Sequence, residues 1–320
     1  MNHLEYTYVT TIARHKSFSL AAKELHISQP ALSNYITKLE RSLGVQIFDR
    51  STTPISLTEP GRHYVQSAAG ILHIEKNFNS YLSDYNHLHT GTLAIGSTHC
   101  FTSCYLPEVL SAFLSRYPDI SIKITEGKIP SLEASVLEGN IDLLITADNV
   151  NPKQFECVNI FEEELLLAVP ETYPVHEHLA EYQLDPEDIH DGRPLSAPYV
   201  DIRLFEQYPF ILLESEQHIY HMAQQIFSHF NFEPHVIMQV EQLMSSLAFS
   251  LSGIGISFIT ESAIRLGNFA HLPILYRIGD CADTHRTMAV AYKKNRYLSK
   301  ACTAFIELMK STLSEKGDAS

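Results

Sequence analysis

Residues Ser17 to Leu57 read SFSLAAKELHISQPALSNYITKLERSLGVQIFDRSTTPISL. This stretch predicts a helix, a tight turn, a second helix and a polar-tipped β-hairpin, the order of a winged helix-turn-helix. Ser17 and Ser19 are both suited to cap the first helix, which runs to about Leu25, because a hydroxyl can accept from the free N–H groups of a first turn. Ala21 and Ala22 are small enough for another helix to cross close by, and His26-Ile27 makes the turn. Ser28 is the next cap, and Pro30 falls in the first turn, where a missing N–H costs little. Leu32, Tyr35, Ile36, Leu39 and Leu43 repeat at helical spacing and face inward, which leaves Gln29, Ser33, Asn34, Thr37 and Lys38 outward. Gly44 stands where a helix end takes a left-handed residue. Val45, Ile47, Ile55 and Leu57 alternate with polar residues as paired strands, with Thr52-Thr53-Pro54 as the wing tip and Arg50 at its base.

The outward set suits the chemistry of a DNA groove. Gln and Asn each offer a paired donor and acceptor that match an adenine edge. Ser, Lys and the N–H groups of a helix start can hold phosphates, and an Arg on a wing can enter a minor groove or grip its backbone. Ser28, Gln29, Pro30, Ser33, Asn34 and Lys38 on the second helix and Arg50, Ser51 and Thr52 on the wing are therefore the candidate DNA-binding residues. A plain helical bundle with a solvated polar face would not require the Ser-Gln-Pro-Ala start, the Gly44 stop and the wing together.

With these residues in view, the chain resembles the LysR-type transcriptional regulators of bacteria. SFSLAAKELHISQPALSNYITKLERSLGVQIFDR is the specific match; SLTEPG, GTLAIGST, LEGNIDLLI, YPFILLESEQ and LSGIGISFI follow in the family's order, so the likeness runs from Leu4 to about Leu313. Two positions depart from it: Asn34 stands where family members often carry arginine, and the wing STTPIS lacks the basic residues common there.

Composition fits such a protein. The chain has 320 residues, 45% of them hydrophobic, enough for two or more domains with real cores. No run of about 18 apolar residues predicts a membrane span, and MNHLEYTYVTTIARH lacks the pattern of a signal peptide. Five cysteines without a secretion signal read as reduced thiols of a cytoplasmic protein. The net charge of −14 is unevenly spread. Residues 1–60 hold six Lys/Arg and five Asp/Glu, a balance of +1, whereas the other 17 and 32 give −15. A head so weakly basic relies on several heads binding together, with affinity falling steeply as salt rises.

Thr58-Glu59-Pro60-Gly61 opens a further helix that continues to about Tyr85. Tyr64, Ala68, Ile71, Phe78, Leu82 and Tyr85 form an apolar seam, interrupted by Glu75, whose spacing near 3.5 suggests pairing with a second copy; packing on its own domain is the alternative. In the resembled family this linker helix is the dimer element. After the polar break NHLHTG (86–91), short strands and helices alternate and predict mainly parallel sheets covered by helices. The fold class is thus α/β, with an N-terminal winged helix-turn-helix (1–60), a long linker helix (61–88) and a two-lobed effector domain like a periplasmic binding protein (91–320). The resemblance implies that the chain passes to a second lobe (about 163–266) and returns to the first (about 91–162 and 267–313). The expected crossings are Phe161–Glu164 and Ser262–Asn268. Glu171 to Gln207, Pro-rich and acidic, reads as an irregular surface excursion, with a lid edge as one role.

In open α/β sheets, ligands bind beyond the C-terminal strand ends, near helix starts. That rule selects Ser97, Thr98, Thr102, Ser103, Glu126, Thr146, Ser215 and Gln217 as effector-binding candidates, and the resemblance places the family's effector cleft at the same loops. Hydroxyls and helix N–H groups suit a small carboxylate; Glu214 and Glu216 leave an amino acid or an amine open. Helix capping is the commoner use of each Ser or Thr taken alone.

Other chemistries find less support. Cys100 and Cys104, four apart beside His99, could sense thiol oxidation or bind metal, but they form neither a CxxC motif nor a full ligand set, and two ordinary cysteines is the better reading. His87 with His89 and His176 with His178 lack further ligands and read as surface residues. No P-loop, HExxH or GxSxG motif is present, so no enzyme, metal or cofactor is expected. A solute-binding protein and a ligand-free dimeric interaction protein are the alternatives from other classes. The expected partners are double-stranded DNA, a small-molecule effector, further copies in a homodimer or homotetramer, and RNA polymerase as a candidate, with no membrane.

Overall fold

Local capping sets the first helices. The computed structural model, which describes residues 2–85, 91–147, 150–267, 269–279 and 282–314, opens with α1 (His3–His15). The side chain of Asn2 accepts from the Glu5 N–H, and the Glu5 carboxylate accepts from the Asn2 N–H in return. Ser17 caps α2 (Phe18–Glu24) through its hydroxyl; Ser19 lies inside the helix and is not the cap. His26 takes the left-handed turn conformation at φ 54°. Ser28 caps α3 (Gln29–Leu43), and Gly44 ends it at φ 70°. β1 (Phe48–Asp49) and β2 (Ser56–Leu57) pair antiparallel, Phe48 opposite Leu57, before α4 (Glu59–Tyr85). Val9, Ile12, Leu32, Ile36, Ile47 and Ala68 are completely buried in this head. Val45, expected in the hairpin, is exposed; Phe48 is buried instead and packs edge-on to Phe18.

The seam on α4 divides in two. Tyr64 and Ala68 are buried in the head's own core, whereas Ile71, Ile74, Phe78, Tyr81 and Leu82 are exposed. Glu75, which interrupts the seam, receives His3 Nδ1 at 2.7 Å. The polar break at 86–90, with His87 and His89, lies outside the described residues.

Contact patterns divide the chain into Met1–Leu88 with Ala134–Ile141, and His89–Glu133 with Asp142–Ser320. After α4 come β3 (Gly91–Ser97), α5 (His99–Cys104), α6 (Leu106–Arg116), β4 (Ile120–Glu126), α7 (Ile129–Leu137) and β5 (Leu143–Thr146), all in the second unit except α7 from Ala134 on. Then come β6 (Phe155–Val169), β7 (Gln183–Leu184), α8 (Pro186–His190), β8 (Tyr199–Val200) and β9 (Pro209–Leu213). The remainder is α9 (His218–His229), β10 (His235–Val240), α10 (Leu243–Leu251), β11 (Ser257–Thr260), α11 (Glu261–Leu266), β12 (Ile274–Ile278), β13 (His285–Lys293) and α12 (Lys300–Ser314). β3 pairs in parallel with β4 and β5, and β13 runs antiparallel to β5 and β6. β9 and β10 form a separate parallel pair, tied on by the bridge Phe210 to Ile256.

Two cores result. Leu93, Ile95, Phe113, Leu143, Val290 and Phe305 lie in one; Leu166, Phe205, Phe210, Ile259, Tyr276 and Ile278 lie in the other. The outward crossing is a single 15-residue strand, β6, whose first part pairs with β13 and whose last five residues pair with β11 and β12. The return crossing corrects the sequence expectation of Ser262–Asn268 and of a first lobe resuming at 267. Ala263, Ile264 and β12 are buried in the second core, so the chain returns between β12 and β13. Residue 268 is outside the described residues.

The excursion Glu171–Gln207 is more ordered than its composition suggested. β7 pairs antiparallel and β8 parallel with β12. Arg277 fastens it from below: Nε donates to both oxygens of Glu164 at 3.1 Å, Nη1 to the Leu195 carbonyl at 2.9 Å, and Nη2 to the Tyr199 hydroxyl at 2.6 Å. His176 stacks on Tyr276 and bonds its hydroxyl at 2.6 Å. No described residue of the segment lines the cleft described below.

Candidate DNA-reading face and effector cleft

Burial of Leu32, Ile36 and Leu39 turns the opposite side of α3 to solvent. Gln29, Pro30, Asn34 and Lys38 are exposed there, and Ser33 is half-buried. Ser28 is at the N-cap, its Oγ accepting from the Ala31 N–H at 3.3 Å. The wing is joined to this face through Arg50. Its guanidinium donates to Ser33 Oγ at 3.3 Å, Thr37 Oγ1 at 3.2 Å and Glu40 Oε2 at 3.1 Å, and lies over the Phe18 ring at 5.0 Å. Glu40 in turn accepts from the Ile47 and Phe48 N–H groups at 2.9 and 3.1 Å, which fixes the turn after Gly44. At the wing, Ser51 donates from N and Oγ to Asp49 Oδ1, and Thr52 Oγ1 bonds the Asp49 carbonyl and Ser56 Oγ. The Ser51 side-chain bond, then its backbone bond, holds the Asp49 carboxyl below its usual range. Sequence reasoning missed Glu40, whose partners lie seven and eight residues on, across a turn.

In the second unit, a cleft of about 310 Å3 opens where several strand ends meet. Its walls include Thr98 to Phe101 after β3, Glu126 to Ile129 after β4, Ala147 after β5, Glu214 and Glu216 to Ile219 after β9, Glu241 to Leu243 after β10, and Arg286 on β13. Of the eight candidates from sequence, Thr98, Glu126 and Gln217 line it. Ser97 and Thr146 do not: both are buried at their strand ends, and the Ser97 hydroxyl has no hydrogen-bond partner among the described residues. Thr102 and Ser103 are turned along α5, donating to the Thr98 and His99 carbonyls, and Ser215 is exposed outside the lining.

Three helices start at this cleft, α5 at Thr98, α9 at Gln217 and α10 at Gln242, and none has a side-chain cap. First-turn N–H groups without caps seek an acceptor from elsewhere. Lys128 Nζ reaches Glu216 Oε2 at 2.7 Å and Glu214 Oε2 at 3.7 Å, joining loops of the two lobes. The Glu216 hydrogen bond raises the Lys128 ammonium and lowers the Glu216 carboxyl, though both lie at the surface, where such a pair adds little stability. His99 Nδ1 stands 3.4 Å from Glu126 Oε2.

Behind the cleft is a buried charged network. Arg286 Nε donates to Glu163 Oε1 at 2.6 Å, and the two residues are direct cross-strand partners of β13 and β6. The Tyr105 hydroxyl donates to Glu163 Oε2 at 2.9 Å and lies 2.7 Å from Ser262 Oγ. Burial, then the Glu163 charge, pushes the Tyr105 hydroxyl well up, so it stays a donor. Burial works against the Arg286 charge, but Glu163, with Tyr105 and Cys100, outweighs it and holds the guanidinium above its usual range. Cys100 and Cys104 share a hydrogen bond; this favours a thiolate at Cys104, pushed down to about 7, and holds the Cys100 proton well above its usual range. Among the described residues, no group of three or more His, Cys, Asp or Glu is placed to hold a metal ion. Nor is any described helix long and apolar enough to cross a membrane.

Comparison with known proteins agrees with this architecture. Residues 2–62 match the model of the bacterial regulatory helix-turn-helix protein, lysR family, and residues 86–314 match the LysR substrate binding domain. The HTH-type transcriptional regulator YcgK of Bacillus subtilis (strain 168), named as uncharacterized, is 27% identical over 316 residues, covering 97% of this chain and 94% of its own. A "Probable RuBisCO transcriptional regulator" of Cyanidium caldarium is 28% identical over 297 residues, covering 90% and 87%. Among solved structures, full-length OxyR from Pseudomonas aeruginosa superposes with a TM-score of 0.72 at 20% identity, covering 97% of this chain and 98% of that one. Full-length CbnR complexed with its target DNA gives 0.64 at 20% identity, covering 98% and 100%. Both family models are matched, in order and across most of the sequence, and the chain therefore belongs to the LysR-type transcriptional regulators, which are DNA-binding proteins and not enzymes.

Proposed function

We propose that this regulator works in the cytoplasm as a homodimer or homotetramer whose hold on an operator is set by a small carboxylate or amino acid bound in the 310 Å3 cleft. The observation that carries this reading is the set of three uncapped helix starts opening onto one cavity. Ligand held by both lobes favours their closed arrangement, and the heads then change spacing or angle across the assembly. RNA polymerase is the partner through which a bound regulator acts on transcription.

On the DNA side, Ser28, Gln29, Pro30, Ser33, Asn34 and Lys38 face the major groove, with Arg50, Ser51 and Thr52 at the wing. Arg50 is already engaged by Ser33, Thr37 and Glu40, so its part is first to fix the angle between wing and helix. The test is DNA selection by purified protein at several salt concentrations, with and without a pool of small carboxylates and amino acids. Enrichment of an interrupted palindrome, altered by the pool, is the expected result; no enrichment under any condition refutes the proposal. On the selected operator, Gln29→Ala should cost about 1–3 kcal/mol and leave binding to unrelated DNA unchanged. Equal loss on all sequences would assign Gln29 to the phosphates instead.

The exposed stripe Ile71, Ile74, Phe78, Tyr81 and Leu82 follows the spacing of a helix–helix seam, and a second copy of α4 is its proposed cover. Ile74→Glu with Phe78→Glu should therefore lower the mass in sedimentation equilibrium. An unchanged assembly would place the interface elsewhere.

A further inference from the structure

The charges around the cleft are not balanced. Lys128 and Arg286 are its Lys/Arg cations, facing the carboxylates of Glu126, Glu214, Glu216 and Glu241. Both cations are already matched. Lys128 is held by Glu216 and Glu214, and Arg286 by Glu163 behind the lining. Counting Glu163, five carboxylates meet two cations, an excess of three negative charges with the histidines neutral. Among the described residues, the Glu126 carboxylate has His99 Nδ1 as a side-chain partner, at 3.4 Å. The Glu241 carboxylate has no hydrogen bond or ion pair among the described residues; only its backbone carbonyl is used, by Gln217 Nε2 at 2.7 Å. Among the described residues, a dianion entering this space would meet like charge and no uncommitted Lys or Arg, whereas a cationic group would relieve the excess. The helix starts ask for the opposite. α9, twelve residues long, and α10, nine residues long, both begin at the cleft without a side-chain cap, their positive ends turned to it. The cavity thus presents donors for an anionic or carbonyl group and acceptors for a cation.

We propose that the effector is a zwitterion of amino-acid type, its ammonium group held by Glu126 and Glu241 and its carboxylate by the N–H groups opening α9 and α10. The proposal rests on the cleft being the effector site, and its test separates the two ideas. Thermal-shift and calorimetric titrations of the full-length chain would use the twenty protein amino acids and ornithine, against succinate, glutarate and adipate as charge-mismatched probes of similar length. At least one amino acid should bind and the dicarboxylates should not. Glu126→Gln and Glu241→Gln are exposed, near-isosteric changes, and each should weaken that amino acid by about tenfold or more. Dicarboxylates binding as well as amino acids, no amino acid binding, or both glutamine variants binding normally would overturn the proposal. Ala147 lines the cleft, and Ala147→Trp fills it. If a dicarboxylate binds and Ala147→Trp abolishes that binding, the cleft reading stands and only the ligand class is wrong. Binding that survives Ala147→Trp would remove the cleft reading itself.

Discussion

Replacing Gly61 with alanine should melt the N-terminal head well below the parent protein. A Cβ at this position would lie 1.9 Å from the Ile47 carbonyl oxygen and 2.8 Å from its carbon. Both are backbone atoms, so no rotamer change relieves the clash. Ile47 cannot retreat freely either: its side chain is completely buried, Glu40 holds its N–H, and its carbonyl accepts the Thr58 N–H at 3.1 Å. Thr58 Oγ1 in turn accepts the Gly61 N–H at 3.0 Å, so one substitution strains the entry to both β1 and α4. Overpacking of a fixed site costs about 1–3 kcal/mol, occasionally more. In a domain this small each kcal/mol moves the midpoint by about 4–8 °C. Calorimetry should show the head's transition displaced and operator binding lost at temperatures the parent tolerates. Gly70→Ala is the control: it is helical, with open space around the added atom, and should be neutral or gain up to about 1 kcal/mol. A Gly61→Ala protein that melts with its parent would show that the junction is looser than its packing implies.

The second large effect is expected at Arg286. Changing it to methionine keeps much of the stem but leaves the Glu163 carboxylate, only 1% exposed, with the Tyr105 hydroxyl in place of a cation. Removing one partner of a buried pair costs about 3–5 kcal/mol, because the other charge is left uncompensated. Urea unfolding should report a loss of this size. The double variant Glu163→Gln with Arg286→Met should recover part of the loss, since it buries no charge. If the double variant is as unstable as the single, the loss comes from packing, not charge.

The head was the more legible half of the chain, because its signals are local. Ser17, Ser28 and Gly44 act within one turn of where they stand, and the apolar spacing of α3 is unbroken. The hairpin was misread by residue type: Val45 looks like a strand residue, but Glu40 ties the chain at Ile47 and Phe48, and Val45 is left on the turn. The sensor was read correctly in outline and wrongly at its return crossing. FECVNIFEEELLLAV gives no clean alternation, so the length of β6 was hidden, and β12 was not seen. The cleft candidates were chosen by residue type at strand ends. Ser97 and Thr146 meet that rule, yet their side chains are buried away from the lining. Lys128 and Arg286 belong to the cleft through contacts 88 and 123 residues away in sequence, and Glu241 through one 24 residues away, for which no local pattern exists.

β6 carries a mechanical consequence. The lobes are joined by a continuous 15-residue strand laddered to β13 from Phe155 to Glu164, so one lobe cannot swing on a slack tether. A two-stranded ribbon resists stretching and yields by twisting, and this one has a built-in soft point. The register slips between Met288, opposite Phe161, and Ala289, opposite Asn159. Such a bulge bends its strand and sharpens the local twist. Any rotation of one lobe on the other must therefore wind this ribbon like a short torsion bar, with the bulge as the place where it gives most easily.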